Sequence, residues 1–414
     1  MFIGLDFGTT GTRICVLDKA GDIAHEERVL YPNTSQTPLD WRETLYALLR
    51  GIPIHLAKQV QRISVDGTSG TVLLCDADLS PILPALLYND SRAQAQAESL
   101  KQLATPQHIV CNASSGLAKF LWLTQNADIT HANYFLHQSD WLSALLTGIG
   151  GVSDYHNALK SGYDVEQLCW PEWIEKLPHA HLLPHVLEPG QLIAEINPAV
   201  AAQFNLNPDC TVHAGTTDSI AAFIAADVHQ PGDAVTSLGT TLVLKLLSES
   251  RVEAQQYGIY SHRYGNFWLA GGASNSGAGV LSQYFSDTQL VELSKYIDVA
   301  IESPFDYYPL PRKGERFPIN NPELEPRLYP RPADDVEFLH GLLQGLSRIE
   351  AMGYSRLAEL GATALTTVRT CGGGAGNPTW QQIRTGLLKV PVHRSAHAEA
   401  AFGAALLAKQ AGIM

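Results

Sequence analysis

Four short segments pair a glycine with two hydroxyl side chains: Gly8-Thr9-Thr10, Gly67-Thr68-Ser69, Gly215-Thr216-Thr217 and Gly239-Thr240-Thr241. Glycine lets backbone N–H groups turn towards an anion, and adjacent hydroxyls add further donors. Two such turns suit a polyphosphate. Asp6 stands beside the first of them, in "LDFGTTGTR". A carboxylate repels phosphate unless a divalent cation lies between them, and hard oxygen ligands suit Mg²⁺. Arg13, in the same stretch, supplies a fixed positive charge. Asp218 follows the third triplet and precedes a helical apolar face of Ile220, Phe223 and Ile224. It reads equally as a helix N-cap and as a general base at a strand end. "TCGGGAGNPTW" has three consecutive glycines after an apolar run, room for a flat group that Asn377 would hydrogen-bond; a flexible loop is the plain alternative. Taken singly, each Gly-Thr triplet is most simply a tight hairpin. Two in matching hairpin contexts point to phosphate.

Other chemistries find less support. There is no GxGxxG after a strand and no GxxxxGK[ST], so neither a dinucleotide fold nor a Walker ATPase is indicated. The histidines of "HAHLLPH", His179 to His185, do not have zinc spacing, and proline interrupts the helix that would align them. Tyr307 and Tyr308 read as packing. Net charge is −13, which excludes a general electrostatic attraction to nucleic acid or anionic lipid. The six cysteines are scattered without a CxxC pair, as in a reducing, cytoplasmic compartment. No apolar run reaches the ~18–20 residues of a membrane span, and no leader segment is apparent.

These residues need elements to hold them. A chain of 414 residues with 45% hydrophobic content predicts two domains with large cores. "MFIGLDFGTTGTRICVLDKAGDIAHEERV" predicts three antiparallel strands, unlike the strand-then-helix opening of a Rossmann unit. "WRETLYALLRGI" carries a helical face at Leu45, Leu48 and Leu49, and "RISVDG" and "TVLLCD" read as buried strands. After mixed helices and Pro-rich loops, "TVHAGTTDS" is a strand and "SIAAFIAAD" a helix. "AVTSLGTTLVLKLLS" then repeats strand, Gly-Thr-Thr, strand. Two hairpin-led units starting near residues 2 and 234 predict two related domains, 1–225 and 226–414. The Ala-rich helix from about residue 399 belongs to either.

In this order the segments resemble the FGGY carbohydrate kinases, within the actin-like ATPase group. "IGLDFGTTGTRICVLDKAG" and "TSLGTTLVL" are similar to the family's two phosphate hairpins. "PALLYNDSRAQ" is similar to its W-x-D-x-R segment, with Tyr88 for the usual Trp. "SDWLSALLTG", "HAGTTDSIAAF", "LPRKGERFP" and "CGGGAGNPTWQQIRTGLLKVPV" match further family segments. The chain looks most like the short D-ribulose kinases of cyanobacteria and plant plastids, which are xylulokinase-like. It departs from the broader family's Gln-x-His pair, having Thr68 and Gly70 at those places.

The resemblance implies an α/β fold of two ribonuclease H-like domains, each a mixed five-stranded sheet flanked by helices, with a cleft between. The first would bind sugar and the second nucleotide, the last helix packing back on the first. It implies ATP and Mg²⁺ as cofactors and a small sugar as partner, with no nucleic acid and no membrane; it leaves oligomeric state open. The implied reaction is phosphorylation of a ketopentose, D-ribulose, at its terminal hydroxyl. Asp218 is the implied catalytic base and Asp6 the metal ligand. Asp6, Ser69, Asp90, Arg92 and Asp218 would meet the sugar. Thr9, Thr10, Gly11, Thr12, Arg13, Gly239 and Thr240 would line the phosphates, and Gly277, Gly373, Gly374 and Asn377 the adenosine. The alternatives are a D-xylulose kinase and an ATP-gated actin-like binding protein with weak ATP hydrolysis.

Overall fold

In the computed structural model, which describes residues 1–31, 36–105 and 108–411, the opening apolar runs form β1 (Phe2–Phe7) and β2 (Gly11–Leu17). They pair antiparallel from Phe2↔Leu17 to Phe7↔Thr12, so the first Gly-Thr-Thr is their turn. β3 (Ile23–Leu30) pairs antiparallel with β2, and β4 (Arg62–Gly67) parallel with β1. Two short ladders follow, β5 (Val72–Cys75) with β6 (Tyr134–His137), and β7 (Val152–Asp154) with β8 (His185–Leu187). β9 (Leu192–Glu195) and β10 (Thr211–Thr217) complete a sheet of order β3-β2-β1-β4-β10-β9, with β1, β4 and β10 parallel.

The second sheet repeats this plan with β11 (Asp233–Leu238), β12 (Leu242–Ser248), β13 (His262–Tyr264), β14 (Phe267–Ala273), β15 (Thr367–Cys371) and β16 (Val392–Arg394). Its order is β13-β14-β12-β11-β15-β16. The hairpin β11–β12 and antiparallel β14 answer to β1, β2 and β3, and the parallel β15 and β16 to β4 and β10. Each sheet has one edge strand beyond the expected five, β9 in the first and β13 in the second.

The chain divides into two compact units, residues 1–225 with the chain from Glu399 onward, and Ala226–Ala398. In the first, the helix Pro38–Gly51 starts with a capping box of Thr37 and Asp40 and buries Trp41, Leu45, Leu48 and Leu49 under the sheet. The C-terminal helix Ala400–Gln410 lies on β1 and on the helix Asp218–Ala225. Its approach is close because Gly4 and Gly403 present no side chain: a Cβ on Gly4 would collide with the Ala401 carbonyl, and one on Gly403 with the Ala221 carbonyl. A separate core under β5 and β6 joins Val72, Leu86, Phe120 and Phe135. In the second unit the 25-residue helix Asp335–Glu359 packs Phe338, Leu342 and Leu346 into a core with Leu244, Phe317 and Trp380. Among the described residues no helix is long and apolar enough to cross a membrane.

Candidate active site

Parallel strands present their C-terminal ends on one side of a sheet, and residues in register on neighbouring strands share a face. In the first unit this rule gathers the chemistry. Asp6 on β1 is in register with Asp66 on β4, and Asp66 with Thr216 on β10. Asp218, two residues further, opens the helix Asp218–Ala225 and accepts a hydrogen bond from the Ser219 amide at 2.6 Å. Its charge acts on both Asp6 and Asp66.

In the sequence Asp66 is only the end of a buried strand. It is wholly buried, and neither carboxyl oxygen has a donor from another kind of residue among those described. Burial first, then the Asp6 charge, push its carboxyl well above the usual carboxylate range. Burial also pushes Asp6 up to about 6, against the hydrogen bond it shares with Asp66, while Asp218 adds to the rise. The two buried carboxyl groups titrate as a pair, both shifted towards the protonated form. The signal available beforehand was a carboxylate at the end of an apolar strand, "ISVD"; its partner is set by parallel pairing 60 residues away.

The loop after β4 is braced from two sides. Gln138 Oε1 accepts from the Thr68 amide at 3.0 Å and the Thr68 hydroxyl at 2.9 Å. The Thr68 and Thr71 hydroxyls bond at 2.6 Å, and Thr71 Oγ1 accepts from the Tyr88 amide at 2.9 Å. Between these anchors the Ser69 hydroxyl is buried and has no partner among the described residues. Thr216, the register neighbour of Asp66, bonds through its hydroxyl to His156 Nδ1 at 2.7 Å. Thr217 Oγ1 is buried without a partner among the described residues. Asp90 and Arg92 sit together on the wall of a groove of about 740 Å³ lined also by Leu39, Leu87, Asn89 and Trp141. Arg92 Nε donates to both Asp90 oxygens at 2.9 Å, and its guanidinium lies 5.1 Å from the Trp122 ring centre.

The first turn departs from the sequence reading in two places. Thr9 and Thr10 are exposed at its tip, closed by the Gly8 amide donating to the Gly11 carbonyl at 3.1 Å. Thr12, however, is fully buried and its hydroxyl bonds to the Tyr31 hydroxyl at 2.7 Å, so its side chain faces the core. Arg13 pairs with Glu399, at the start of the C-terminal helix. Its charge is therefore shared with a carboxylate that only the long-range docking of that helix supplies.

In the second unit β11 and β15 are parallel and in register from Asp233↔Thr367 to Ser237↔Cys371, so their following loops leave the sheet side by side. Gly239 and Thr240 follow β11. The Ala278 and Gly279 amides donate to the Gly239 and Thr240 carbonyls at 2.9 and 3.2 Å, which fixes Gly277 against them. Gly372, at φ +83°, lies on Leu238 and Gly239, and Gly373 beyond it faces open space. Gly239, Gly277, Gly373 and Gly374 thus come together as bare backbone beside Thr240. Asn377 is nearby, but its side chain is committed: Oδ1 caps the helix Pro378–Leu388 by accepting from the Trp380 amide at 3.0 Å, and Nδ2 donates to Ser294 Oγ at 2.8 Å. Its Asn-Pro sequence is the signature of that cap. Tyr307 and Tyr308 are buried packing residues, Tyr307 stacked on Phe305 at 5.1 Å.

The FGGY family of carbohydrate kinases matches over nearly the whole chain, its N-terminal domain at residues 1–225 and its C-terminal domain at 234–411. A xylulose kinase of Bacillus subtilis (strain 168) is 24% identical over 98% of this chain and 87% of its own length. A gluconokinase of the same organism is 20% identical over 94% and 83%. Among solved structures, a xyloylose kinase from Brucella ovis has a TM-score of 0.83 at 23% identity, covering 99% of this chain and 90% of that one. Plasmodium falciparum glycerol kinase with ADP has a TM-score of 0.84 at 18% identity, covering 99% and 89%. The chain belongs to the FGGY family of carbohydrate kinases. It is a carbohydrate kinase that uses ATP with Mg²⁺.

The residues fit the cation. Asp6 offers a buried oxygen, Oδ1, with no hydrogen-bond partner among the described residues, and carboxylate oxygen suits Mg²⁺. Among the described residues no three His, Cys, Asp or Glu side chains are arranged to hold a metal by themselves. Mg²⁺ commonly takes one or two carboxylates and completes its shell with phosphate and water. If Asp66 serves Asp6 as a neutral donor, an amide replaces it. Asp66→Asn is expected to keep turnover within about tenfold of wild type, and Asp66→Ala to lower it about a hundredfold by releasing Asp6 from position. Steady-state rates at saturating ATP and Mg²⁺ check this; an Asn variant as impaired as the Ala variant would show that Asp66 works as a charge.

Proposed function

We propose that the chain phosphorylates the terminal hydroxyl of a ketopentose, D-ribulose, with ATP. The observation that carries the reading is the end of β4. There the Ser69 hydroxyl is buried with no partner among the described residues, three residues past Asp66, whose carboxyl feels the charges of Asp6 and Asp218. Thr68 and Gly70 stand where the broader family has glutamine and histidine, so a hydroxyl rather than an imidazole meets the sugar.

In this reading Asp218 takes the proton of the attacking hydroxyl as its oxygen bonds to the γ-phosphorus and the bond to the β-phosphate oxygen breaks, releasing ADP. Bound Mg²⁺ supplies neutralisation of phosphate charge. Asp6 holds that cation, with Asp66 keeping its carboxylate in place. Ser69, Asp90 and Arg92 orient the sugar. Backbone donors at Thr9, Thr10, Gly11, Gly239 and Thr240 take the phosphates, and the glycines 277, 373 and 374 receive the adenosine. Thr12, Arg13 and Asn377 act by shaping these loops.

D-Xylulose is the second reading, because relatives aligned over nearly the whole chain carry the name xylulose kinase. The two sugars differ at one stereocentre. The test is kcat/KM of the purified protein on D-ribulose, D-xylulose, L-ribulose and glycerol. D-Ribulose is expected to exceed the others by about tenfold or more, the scale of one well-placed polar contact. A preference for D-xylulose would select the second reading. ATP hydrolysis that no sugar accelerates would point to an ATP-gated binding protein instead.

A further inference from the structure

Lys119 is the only lysine or arginine besides Arg384 that is almost wholly buried among the described residues. It sits in "GLAKFLWL" on the helix Gly116–Asn126, in a core otherwise made of Val72, Leu86, Phe120 and Phe135. Its ammonium donates to three backbone carbonyls: Gly70 at 2.8 Å, Leu87 at 2.7 Å and Tyr88 at 3.3 Å. Three donors meeting three acceptors satisfy an ammonium fully. A buried cation is nevertheless expensive, and a core of this kind is ordinarily filled by apolar side chains. Burial pulls the Lys119 pKa down to about 8. Something other than stability accounts for a lysine here.

What the ammonium joins suggests the reason. Gly70 closes the loop that carries Ser69. Leu87 and Tyr88 lead directly into Asn89, Asp90 and Arg92. Sequence places these segments about 20 residues apart; backbone bonds join them at Val72 and Leu86, and Thr71 Oγ1 holds the Tyr88 amide. Gln138 holds Thr68, just before Ser69, and Lys119 holds Gly70, just after it. We propose that Lys119 is a positioning residue for the sugar: its ammonium bolts the Gly67–Thr71 loop to the 87–92 segment, so that the Ser69 hydroxyl is presented in one fixed place. The proposal rests on Ser69 meeting the sugar, as in the reading above.

A buried lysine that only supports the fold would change stability and leave substrate affinity alone. A positioning lysine changes the sugar's KM through Ser69. The experiment compares wild type, Ser69→Ala, Lys119→Met and the double variant, with D-ribulose and ATP each varied at saturation of the other. Methionine keeps the length and apolar stem of lysine without its donors. Each single variant is expected to raise the KM for D-ribulose about tenfold or more, with the KM for ATP within about twofold. The double variant is expected to be little worse than either single one, because a loosened loop has no fixed hydroxyl left to lose. Should Lys119→Met not fold, Lys119→Leu, which is likewise apolar and without a donor, carries the same comparison.

A sugar KM raised by Ser69→Ala but unmoved in the Lys119 variant overturns the positioning role while sparing the sugar assignment. Fully multiplicative effects in the double variant overturn it too, since the two residues would then act independently. A sugar KM unmoved by Ser69→Ala removes Ser69 from the sugar side, and the role given to Lys119 falls with it.

Discussion

Asp218→Asn is expected to bind ATP with Mg²⁺ as wild type does and to transfer phosphate about 10²–10⁴-fold more slowly, the usual cost of losing a positioned base. Asparagine keeps the side-chain volume and an oxygen acceptor for the Ser219 amide, which the native carboxylate engages at 2.6 Å. The start of the helix Asp218–Ala225 is therefore preserved, and a loss of rate reports chemistry rather than folding. The competing reading, a helix cap, makes the opposite forecast: about 0.5–2 kcal/mol of stability lost with Ala and little change in rate. Calorimetric titration with ATP, a thermal melt and sugar-dependent turnover on the same preparation separate the two. Near-normal turnover in Asp218→Asn would remove this residue from the mechanism. Its position supports the chemical role, since its charge acts on Asp6 and Asp66, which lie on β1 and β4, the two strands parallel to β10. A cap has no need of two further carboxylates.

The parts of this site that sequence made visible are those written locally. The strand–Gly-Thr-Thr–strand pattern is complete within some 15 residues, so both hairpins and the turns between β1 and β2 and between β11 and β12 are legible. The glycine cluster after β15 is legible for the same reason, because a run of glycines states its own backbone freedom. What stayed hidden depends on partners far along the chain. Asp66 is ordinary until β4 pairs with β1. Arg13 resembles a free phosphate ligand until the last helix brings Glu399 to it. Lys119 resembles a solvent-facing lysine on an amphipathic helix until three carbonyls from two other segments close around it. Asn377 lies between two local signals, a glycine run with room for a flat group and a proline that suits the start of a helix, and in the fold its side chain caps that helix.

Long-range partners also decide how the second unit holds its glycine loops. Glu350, on the helix Asp335–Glu359, accepts from Arg384 Nε at 2.6 Å and Nη2 at 2.7 Å, and both residues are about 1% exposed or less. Glu350 Oε1 also accepts from Thr236 Oγ1 at 2.5 Å, and Arg384 Nη1 donates to Thr370 Oγ1 at 2.7 Å. Thr236 and Thr370 are register partners on β11 and β15, two residues short of Leu238 on the one strand and one short of Cys371 on the other. The ion pair therefore fastens two helices to the two strands that lead into Gly239 and Gly373. Removing one partner strands a charge in a core, which costs about 3–5 kcal/mol, whereas replacing both by apolar side chains of similar volume is often close to neutral. Glu350→Ala and Arg384→Met are each expected to lose that much stability, and Glu350→Leu with Arg384→Met much less than the sum. In a chain of two units a single unfolding midpoint is ambiguous. Amide exchange in β11 and β15 reads the loss in the second unit directly. Losses below about 1 kcal/mol in both single variants would mean that the pair is hydrated and contributes as a surface pair does. A rise in the KM for ATP in the double variant, at near-native stability, would show that the bolt sets the loops as well as the fold.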